Sequence, residues 1–365
     1  MQAFRHSKKT VSHLLIRANI LKDQFAFVFT SEPNAPLPTN TLPTFPTIQK
    51  ITIAVEGFAK LQSSTKPHKA TDPDSVPAHI LKEAAEELVP VPTLLFQSSL
   101  DKGTVPDDWK RVKVVPVCKK GDRSTSLKYR PISLTSICSK LMAHIVHSNI
   151  MKHLHSHNIL TDNQHGFQRR SCEIQLIITI GDLANTLNNK EQFDVILLDF
   201  AKAFEKVPNR RLLQKVEKCG VRGNILKWIT SFLQNRTQQM VLEGQSSAPT
   251  SVLSGVPQGT VLGLLLFIIN INDLSSNVKS TARIFADNTI VYRKVQTETD
   301  ADILQGDLDD LQKWASTWLM EFNVDKCQLL RVTNKRKTIH RNYTLNEKQL
   351  LAVDSAKYLG DNDLY

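Results

Sequence analysis

Short apolar runs that end at polar residues predict several β-strands in the middle of the chain. The apolar run at residues 193–198 consists of strand formers and stops abruptly at Asp199, which predicts a buried strand with a carboxylate at its end. The runs 283–286 and 289–292 flank the pair Asp287-Asn288. Two short strand-forming runs separated by two turn-forming residues predict a hairpin, so we expect a second acidic residue on a tight turn.

Helical spacing of apolar residues predicts most of the remaining structure. One stripe predicts a helix late in the chain and consists of Leu304, Leu308, Leu311, Trp314 and Trp318. Further predicted helices cover residues 77–88, 134–154 and 258–271, the last preceded by a glycine-framed loop, and residues 111–117 predict one more strand. Because strands and helices mix and the hairpin makes the sheet partly antiparallel, we expect an α+β fold.

The first 50 residues differ in composition from those that follow. Residues 1–30 carry basic side chains around a short apolar stripe and predict a basic N-terminal helical segment. Residues 31–50 are rich in proline and have no apolar period, which predicts an extended linker and a domain boundary before the main fold.

Composition and charge narrow the class of protein. The 365 residues are 41% hydrophobic and 22% charged, as in a globular protein. The 46 Lys and Arg outnumber the 35 Asp and Glu, and a net charge of +11 favours a polyanionic partner. The five cysteines are scattered along the chain, which argues against a disulfide framework and for a reducing, intracellular compartment, cytoplasmic or nuclear. No apolar run reaches the roughly 20 residues that cross a bilayer, so we expect no membrane partner.

Two acidic residues from separate elements are what in-line phosphoryl transfer requires, because carboxylates hold two metal ions about 4 Å apart. Asp199 and Asp287 fit this pattern only if the fold brings the strand end beside the hairpin turn. The alternative is that each carboxylate is a local cap, which is the commoner role of an Asp at a strand end or turn.

Several motifs, in their order along the chain, resemble those of reverse transcriptases, and in particular of non-LTR (LINE-type) retrotransposon polymerases. Motifs A, B and C are matched by Leu198-Asp199-Phe200-Ala201-Lys202-Ala203-Phe204, by Ser254-Gly255-Val256-Pro257-Gln258-Gly259 and by Phe285-Ala286-Asp287. Further matches are Tyr129-Arg130-Pro131-Ile132-Ser133-Leu134, His165-Gly166-Phe167 and Tyr358-Leu359-Gly360. The resemblance implies a right-hand polymerase, with fingers and the start of the palm over residues 51–190, palm over 191–365, and a thumb largely missing.

The resemblance also implies an activity and its ligands. The family's reaction is that of an RNA-directed DNA polymerase, a nucleotidyltransferase that adds deoxynucleoside triphosphates to a DNA primer on an RNA template. Two Mg²⁺ ions would be held by Asp199, Asp287 and the backbone carbonyl of Phe200, with Asn288 at a position next to the ions. Oxygen ligands of this kind suit Mg²⁺.

Other residues match the family's substrate-binding positions. Lys119, Lys120 and Arg130 correspond to basic residues over the triphosphate, where an Arg fork matches phosphate oxygens. Phe204 corresponds to the steric gate against a ribose 2′-hydroxyl, and Gln258 and Gly259 to the loop at the nucleotide and template. Lys326 corresponds to a lysine that donates a proton to pyrophosphate. Without the resemblance, Phe204 would be a core phenylalanine and Lys119-Lys120 a solvated charge run.

The chain departs from the family pattern at one position that affects the chemistry. The family's hairpin reads Phe-Ala-Asp-Asp, whereas this chain has Asn288 in the last place. Loss of that carboxylate predicts weaker metal binding and impaired polymerisation. With a thumb also expected to be missing, the chain is interpreted as a truncated copy. The alternative is a non-catalytic, nucleic-acid-binding remnant of a retrotransposon, which the net charge would equally support.

Overall fold

A computed structural model describes residues 4–6, 9–11, 13–39, 43–64, 78–83, 89–118, 129–166, 172–359 and 363–364. The helices within them are α1 Leu14–Ala26, α2 Val55–Ser63, α3 Ala78–Glu83, α4 Pro90–Lys102, α5 Ile137–Ser156, α6 Cys172–Asn188, α7 Ala203–Lys206, α8 Asn209–Lys218, α9 Gly223–Leu233, α10 Val261–Ile271 and α11 Glu298–Thr317. The strands are β1 Phe4–His6, β2 Lys9–Val11, β3 Arg111–Cys118, β4 Tyr129–Leu134, β5 Gln192–Asp199, β6 Arg236–Leu242, β7 Gln245–Ser246, β8 Thr250–Val252, β9 Thr281–Phe285, β10 Asn288–Lys294, β11 Gln328–Thr333, β12 Thr344–Leu345, β13 Lys348–Gln349, β14 Leu351–Val353, β15 Ala356–Lys357 and β16 Asp363–Leu364. The α+β class predicted from the sequence is confirmed.

The chain forms two compact units, each made of two segments. The first unit comprises Met1–Ile159 and Phe204–Leu266, and the second comprises Leu160–Ala203 and Phe267–Tyr365. The predicted divisions at residues 50 and 190 do not coincide with these boundaries, and fingers and palm stay predictions.

The first unit is built on a mixed sheet of five strands. β3 pairs antiparallel with β4 and parallel with β6, and β7 and β8 pair antiparallel with β6. The burial of β3 alternates along the strand, as expected for a sheet with one covered face. α1 covers that face through Ala18, Leu21 and Phe25, which pack with side chains of β3, β4 and β6.

The second unit is built on a five-stranded sheet in which β5 is central. Its strand order is β14, β11, β5, β10, β9, with all neighbours antiparallel except β11 and β14. The residues from Val195 to Leu198 are all buried, so the sheet is covered on both faces where the apolar run lies. One face packs on Leu183 of α6, and the strand that the sequence predicts at 193–198 is confirmed.

The segment after α1 is extended, as its prolines predict, but it is bound to the first unit along its length. Glu32 forms an ion pair with Arg211 of α8 at 2.7 Å, and each side chain is about nine-tenths buried. The amides of Phe45 and Ile48 donate to the carbonyls of Lys218 and Gly220. Within residues 31–39 and 43–50, the predicted linker is therefore part of the packed unit.

Most predicted helices are present with shifted ends. The helix predicted at 134–154 begins at Ile137 because the Ser136 hydroxyl accepts from the Ser139 amide and caps it. The helix predicted from Gln258 begins at Val261. The stripe at 304–318 lies in α11 except for Trp318, which is its C-cap residue, and the helix starts at a capping box of Thr297 and Asp300. Of the helix predicted at 77–88, residues 78–83 are helical and 84–88 lie outside the described residues.

No helix in the described part of the chain combines the length and the apolar character needed to cross a bilayer.

Candidate active site

The candidate site of the second unit begins at the end of β5. The strand continues to Asp199, whose side chain is 22% exposed after four buried apolar positions. An apolar strand enclosed by neighbours on both sides is rigid, so its last side chain is held in a defined place. The strand thereby presents a carboxylate at the edge of the buried sheet.

The hairpin of β9 and β10 lies beside this strand end. Asn288, the first residue of β10, is directly opposite Asp199 on β5 and opposite Phe285 on β9. Directly opposed residues of antiparallel strands have Cβ atoms roughly 4.5–5.5 Å apart. The structure therefore brings together the strand end at Asp199 and the hairpin turn that carries Asp287.

The predicted turn residues Asp287-Asn288 are wrong by one position, because the turn consists of Ala286 and Asp287. Ala286 takes a left-handed φ of 53°, which alanine rarely adopts. The Gln164 side-chain oxygen accepts from the amides of Ala286 and Gly166, at 3.3 and 2.8 Å, and the His165 amide donates to the Ile284 carbonyl. These long-range bonds fix the turn, and local turn propensity gave no sign of them.

Lys326 is close to Asp199 in the structure. Its Nζ lies 2.6 Å from Asp199 Oδ2, and the lysine side chain is 61% exposed. The loop that carries it is attached to the strand end, because the Asn323 amide donates to the Asp199 carbonyl at 2.7 Å. The neighbouring Cys327 is buried, and burial raises the pKa of its thiol to about 11, so this sulfur stays protonated at neutral pH.

Phe200 extends the site on its backbone side. Its ring stacks on Phe322 at 4.5 Å between centroids, and the two residues form an isolated antiparallel bridge. The hydrogen bonds of that bridge run from Ala201 to the Glu321 carbonyl and from Asn323 to the Asp199 carbonyl. The Phe200 carbonyl, which the resemblance assigns as a metal ligand, accepts neither of these two hydrogen bonds.

The donor set at this strand end consists of oxygens, namely two carboxylates and neutral carbonyl or amide oxygens. Hard cations such as Mg²⁺ prefer such ligands, so the residues present fit a divalent ion of the kind that reverse transcriptase domains generally use. Among the residues that the structure describes, no cluster of three or more His, Cys, Asp or Glu side chains could hold a metal ion.

The predicted substrate-binding residues that the structure describes lie in the first unit. Phe204 is half-buried, which places it outside the fully buried core, and Gln258 and Gly259 are exposed. Arg130 is exposed on β4, opposite Val117. Lys119 and Lys120 lie outside the described residues.

The segment after Phe204 and the glycine loop are bonded to each other within the first unit. The amides of Gly255 and Val256 donate to the carbonyls of Val207 and Phe204, at 2.8 and 2.9 Å. Gly255 has a φ of 91°, and a Cβ there would lie 2.7 Å from the carbonyl oxygens of Phe204 and Glu205. Only glycine allows this close approach without displacement of the backbone.

The loop ends at a cap that explains the late start of α10. The Thr260 hydroxyl donates to the Pro257 carbonyl at 2.9 Å and accepts from the Gly263 amide at 3.0 Å. Gly259 has a φ of 94°, which is incompatible with a helix. Gln258 and Gly259 therefore belong to an exposed loop and not to the helix that the apolar pattern predicted.

Comparisons with known proteins agree with the motif resemblance. The family model described as "Reverse transcriptase (RNA-dependent DNA polymerase)" matches residues 117–362. The RNA-directed DNA polymerase from mobile element jockey of Drosophila melanogaster is 26% identical over 319 residues, which cover 84% of this chain and 35% of that protein. The probable polymerase from transposon X-element of the same species is 27% identical, over 80% of this chain and 33% of its own length.

A more distant relative is the Pol polyprotein from type-1 retrotransposable element R2 of Popillia japonica, 24% identical over 59% of this chain and 30% of that protein. The chain therefore spans about a third of the length of the curated relatives that it matches.

Proposed function

Because this chain belongs to the reverse transcriptase (RNA-dependent DNA polymerase) family, as a domain of the non-LTR retrotransposon type, we propose that it extends a DNA primer with deoxynucleotides on an RNA template. The observation that carries the proposal is the pairing of Asp199 with Asn288, which sets the carboxylate at the end of β5 beside the hairpin turn with Asp287. In this proposal the sheet around β5 is the palm of a right-hand polymerase.

The metal ligands in this proposal are the side chains of Asp199 and Asp287 and the backbone carbonyl of Phe200, with the Asn288 amide oxygen as a neutral neighbour. When bound, two Mg²⁺ ions supply positive charge at the attacking and leaving oxygens of the phosphoryl transfer. The chain's own contribution is to hold one carboxylate at the end of β5 and the other on the neighbouring hairpin turn of the same sheet. That preorganisation avoids moving charged side chains at the moment of reaction.

The substrate contacts in this proposal are those that the motif resemblance assigns. Phe204 lies against the sugar of the incoming nucleotide, and its half-buried ring leaves surface for that contact. Gln258 and Gly259 form the exposed loop at the nucleotide and template, while Arg130 is an exposed donor for the triphosphate. The assignment of Lys119 and Lys120 to the same triphosphate rests on the motif resemblance.

Lys326 has two roles in the proposal, one in each state of the site. In the structure it balances the charge of Asp199. An ion pair with a lysine that is 61% exposed holds little free energy, so the ammonium can exchange Asp199 for a phosphate oxygen. There it is placed to give a proton to the departing pyrophosphate as a general acid.

Asn288 weakens this site in the proposal. A unit charge about 4 Å from an ion, in an effective dielectric near 20, is worth about 4 kcal/mol before desolvation is deducted. Replacing the family's carboxylate with a neutral amide therefore lowers the affinity for Mg²⁺. We propose that polymerisation is slow because the site binds Mg²⁺ weakly.

The second candidate function is nucleic-acid binding without catalysis. The same Asn288 favours it, together with the net charge of +11. Binding of this kind depends on phosphate contacts and weakens steeply between roughly 50 and 200 mM salt. Both candidates share that salt dependence, so only turnover separates them.

Primer extension on a polyriboadenylate template with an oligo-deoxythymidine primer tests the proposal. We expect Mg²⁺-dependent extension by the parent chain and no extension by Asp199→Asn. The two proteins should bind the duplex with the same affinity. A parent chain that binds the duplex with a steep salt dependence, but extends no primer at any Mg²⁺ concentration, would establish the second candidate instead.

A further inference from the structure

The extended segment after α1 reaches the two segments that carry the proposed nucleotide-selecting residues. We name residues 30–39 and 43–48 the N-terminal strap. Its anchor is Glu32, which accepts from the Arg210 amide at 2.9 Å and pairs with Arg211 at 2.7 Å. Further along, the Arg210 guanidinium donates to the Pro33 carbonyl. The strap is thus fixed to α8 next to its first residue, Thr30.

Thr30 itself bonds to both neighbouring segments. Its hydroxyl donates to the Lys206 carbonyl and its amide donates to the Ser254 hydroxyl, each at 2.7 Å. The Ser254 side chain is buried and donates in turn to the Glu205 carbonyl at 2.7 Å. Three successive hydrogen bonds therefore connect the strap, the chain just after Phe204, and the start of the glycine loop.

The same two segments are bonded directly, through the amides of Gly255 and Val256 and the carbonyls of Val207 and Phe204. Thr30 connects them a second time, because it bonds to Lys206 in one segment and to Ser254 in the other. A short helix such as α7, with four residues, has too few internal hydrogen bonds to hold its own position. Its place relative to the glycine loop is therefore set by these contacts.

We propose that Thr30 is a positioning residue that sets Phe204 against the loop of Gly255 to Gln258 and thereby tunes the choice between deoxy and ribo substrates. The substrate part of this inference rests on the proposed function, while the positioning part rests on the hydrogen bonds alone. Thr30 acts through the backbone of Lys206 and the hydroxyl of Ser254, without touching substrate.

Hydrogen exchange of the full chain tests the positioning part without any need for activity. Thr30→Val keeps the shape of the side chain and removes its donor, so we expect the amides of Gly255 and Val256 to exchange about tenfold faster, which corresponds to the loss of one hydrogen bond. Thr30→Ser keeps the donor and should restore the parent rate. The amides of β3 in the same unit report any global opening.

The matched control lies at the other end of the strap. The Thr47 hydroxyl accepts from Arg222 at 3.0 Å, so Thr47→Val removes a strap contact that does not involve Ser254 or Lys206. We expect parental exchange at Gly255 and Val256 in this variant. Equal acceleration by Thr30→Val and Thr47→Val, or none by Thr30→Val, would overturn the positioning role.

Primer extension with matched deoxy and ribo triphosphates tests the substrate part, with Phe204→Val as the positive control. We expect Thr30→Val to reduce the preference for deoxynucleotides several-fold through KM, with kcat little changed and Thr30→Ser equal to the parent. If Phe204→Val alters the preference and Thr30→Val does not, the specificity role is wrong although the proposed function stands. If neither the parent nor any variant extends a primer, the specificity role fails together with the proposed function. The hydrogen-exchange rates then still decide whether Thr30 is a positioning residue.

Discussion

The two acidic residues of β5 have opposite surroundings, although they lie on the same strand five positions apart. Asp194 is fully buried and accepts from Gln192 and Arg331 on one oxygen and from the Tyr343 hydroxyl on the other, at 2.9, 3.2 and 2.9 Å. Asp199 is partly exposed, and its carboxylate accepts from the exposed Lys326 ammonium at 2.6 Å.

This difference separates a structural carboxylate from a candidate catalytic one. A carboxylate whose lone pairs are occupied by fixed protein donors has no capacity left for a metal ion or substrate. Asp194 fixes the strand to the chain around Tyr343 and Arg331. Asp199 pairs with an exposed lysine and lies beside the hairpin turn, which makes it the candidate for metal binding in the proposed function.

The largest expected effect is the loss of activity in Asp199→Asn. Removing a full negative charge beside the metal ions is worth about 4 kcal/mol at an effective dielectric near 20, which is about a thousandfold in rate. The unfolding free energy should stay within about 1 kcal/mol of the parent, because an exposed ion pair contributes little. Primer-extension rates and urea unfolding measure both quantities. Undiminished extension would remove Asp199 from the proposed site.

Asp194→Asn should have the reverse profile, with a loss of stability and an unchanged Mg²⁺ requirement. Removing the buried charge leaves the Arg331 guanidinium without its ion-pair partner, which lowers the unfolding free energy by about 3 kcal/mol. The control is Asp302→Asn, since Asp302 pairs with Arg341 in an exposed bridge at 3.1 Å and should lose less than about 1 kcal/mol. Equal losses in the two variants, measured by urea unfolding, would mean that burial does not distinguish these carboxylates.

Tyr343→Phe should produce a smaller effect, which depends on pH. Burial and the neighbouring Asp194 raise the pKa of Tyr343 above its ordinary value. The folded state therefore keeps the phenolic proton when the unfolded chain has lost it, and stability falls as the pH rises above about 10. The variant should lose about 1 kcal/mol at neutral pH through the missing hydrogen bond, and its stability should decline less at alkaline pH. A parallel decline in parent and variant between pH 9 and 11 would exclude Tyr343 as a source.

The strand that carries both carboxylates could be predicted from the sequence, but their surroundings could not. A continuous apolar run ending at Asp199 is a local signal, and so is the stripe that forms α11. The turn at Ala286 depends on Gln164, and the strap depends on the pairing of Glu32 with Arg211. Contacts between residues more than a hundred positions apart produce no periodic pattern in a single sequence. The hairpin register and the packing of the predicted linker on the first unit were therefore not predicted.

The site residues show the same division between local and long-range information. The motifs indicated Asp199, Asp287 and Lys326, and the structure places Lys326 on Asp199 itself. Ser254 was part of a matched motif, but nothing local to Thr30 or Ser254 indicated that the two residues are bonded to each other. Their connection to the Phe204 segment arises only when three distant stretches of chain fold together.

Titration of primer extension with Mg²⁺, in the parent and in Asn288→Asp, tests whether Asp199 and the hairpin turn bind the catalytic ions. If the end of β5 and the hairpin turn form the polymerase site, restoring the carboxylate opposite Asp199 should lower the Mg²⁺ concentration for half-maximal rate about tenfold, which corresponds to about 1.4 kcal/mol of the charge interaction. Asn346→Asp, which adds the same charge in the turn between β12 and β13, should leave that concentration unchanged. Equal Mg²⁺ requirements in Asn288→Asp and the parent, or the same shift in Asn346→Asp, would mean that the catalytic ions do not bind beside the hairpin turn.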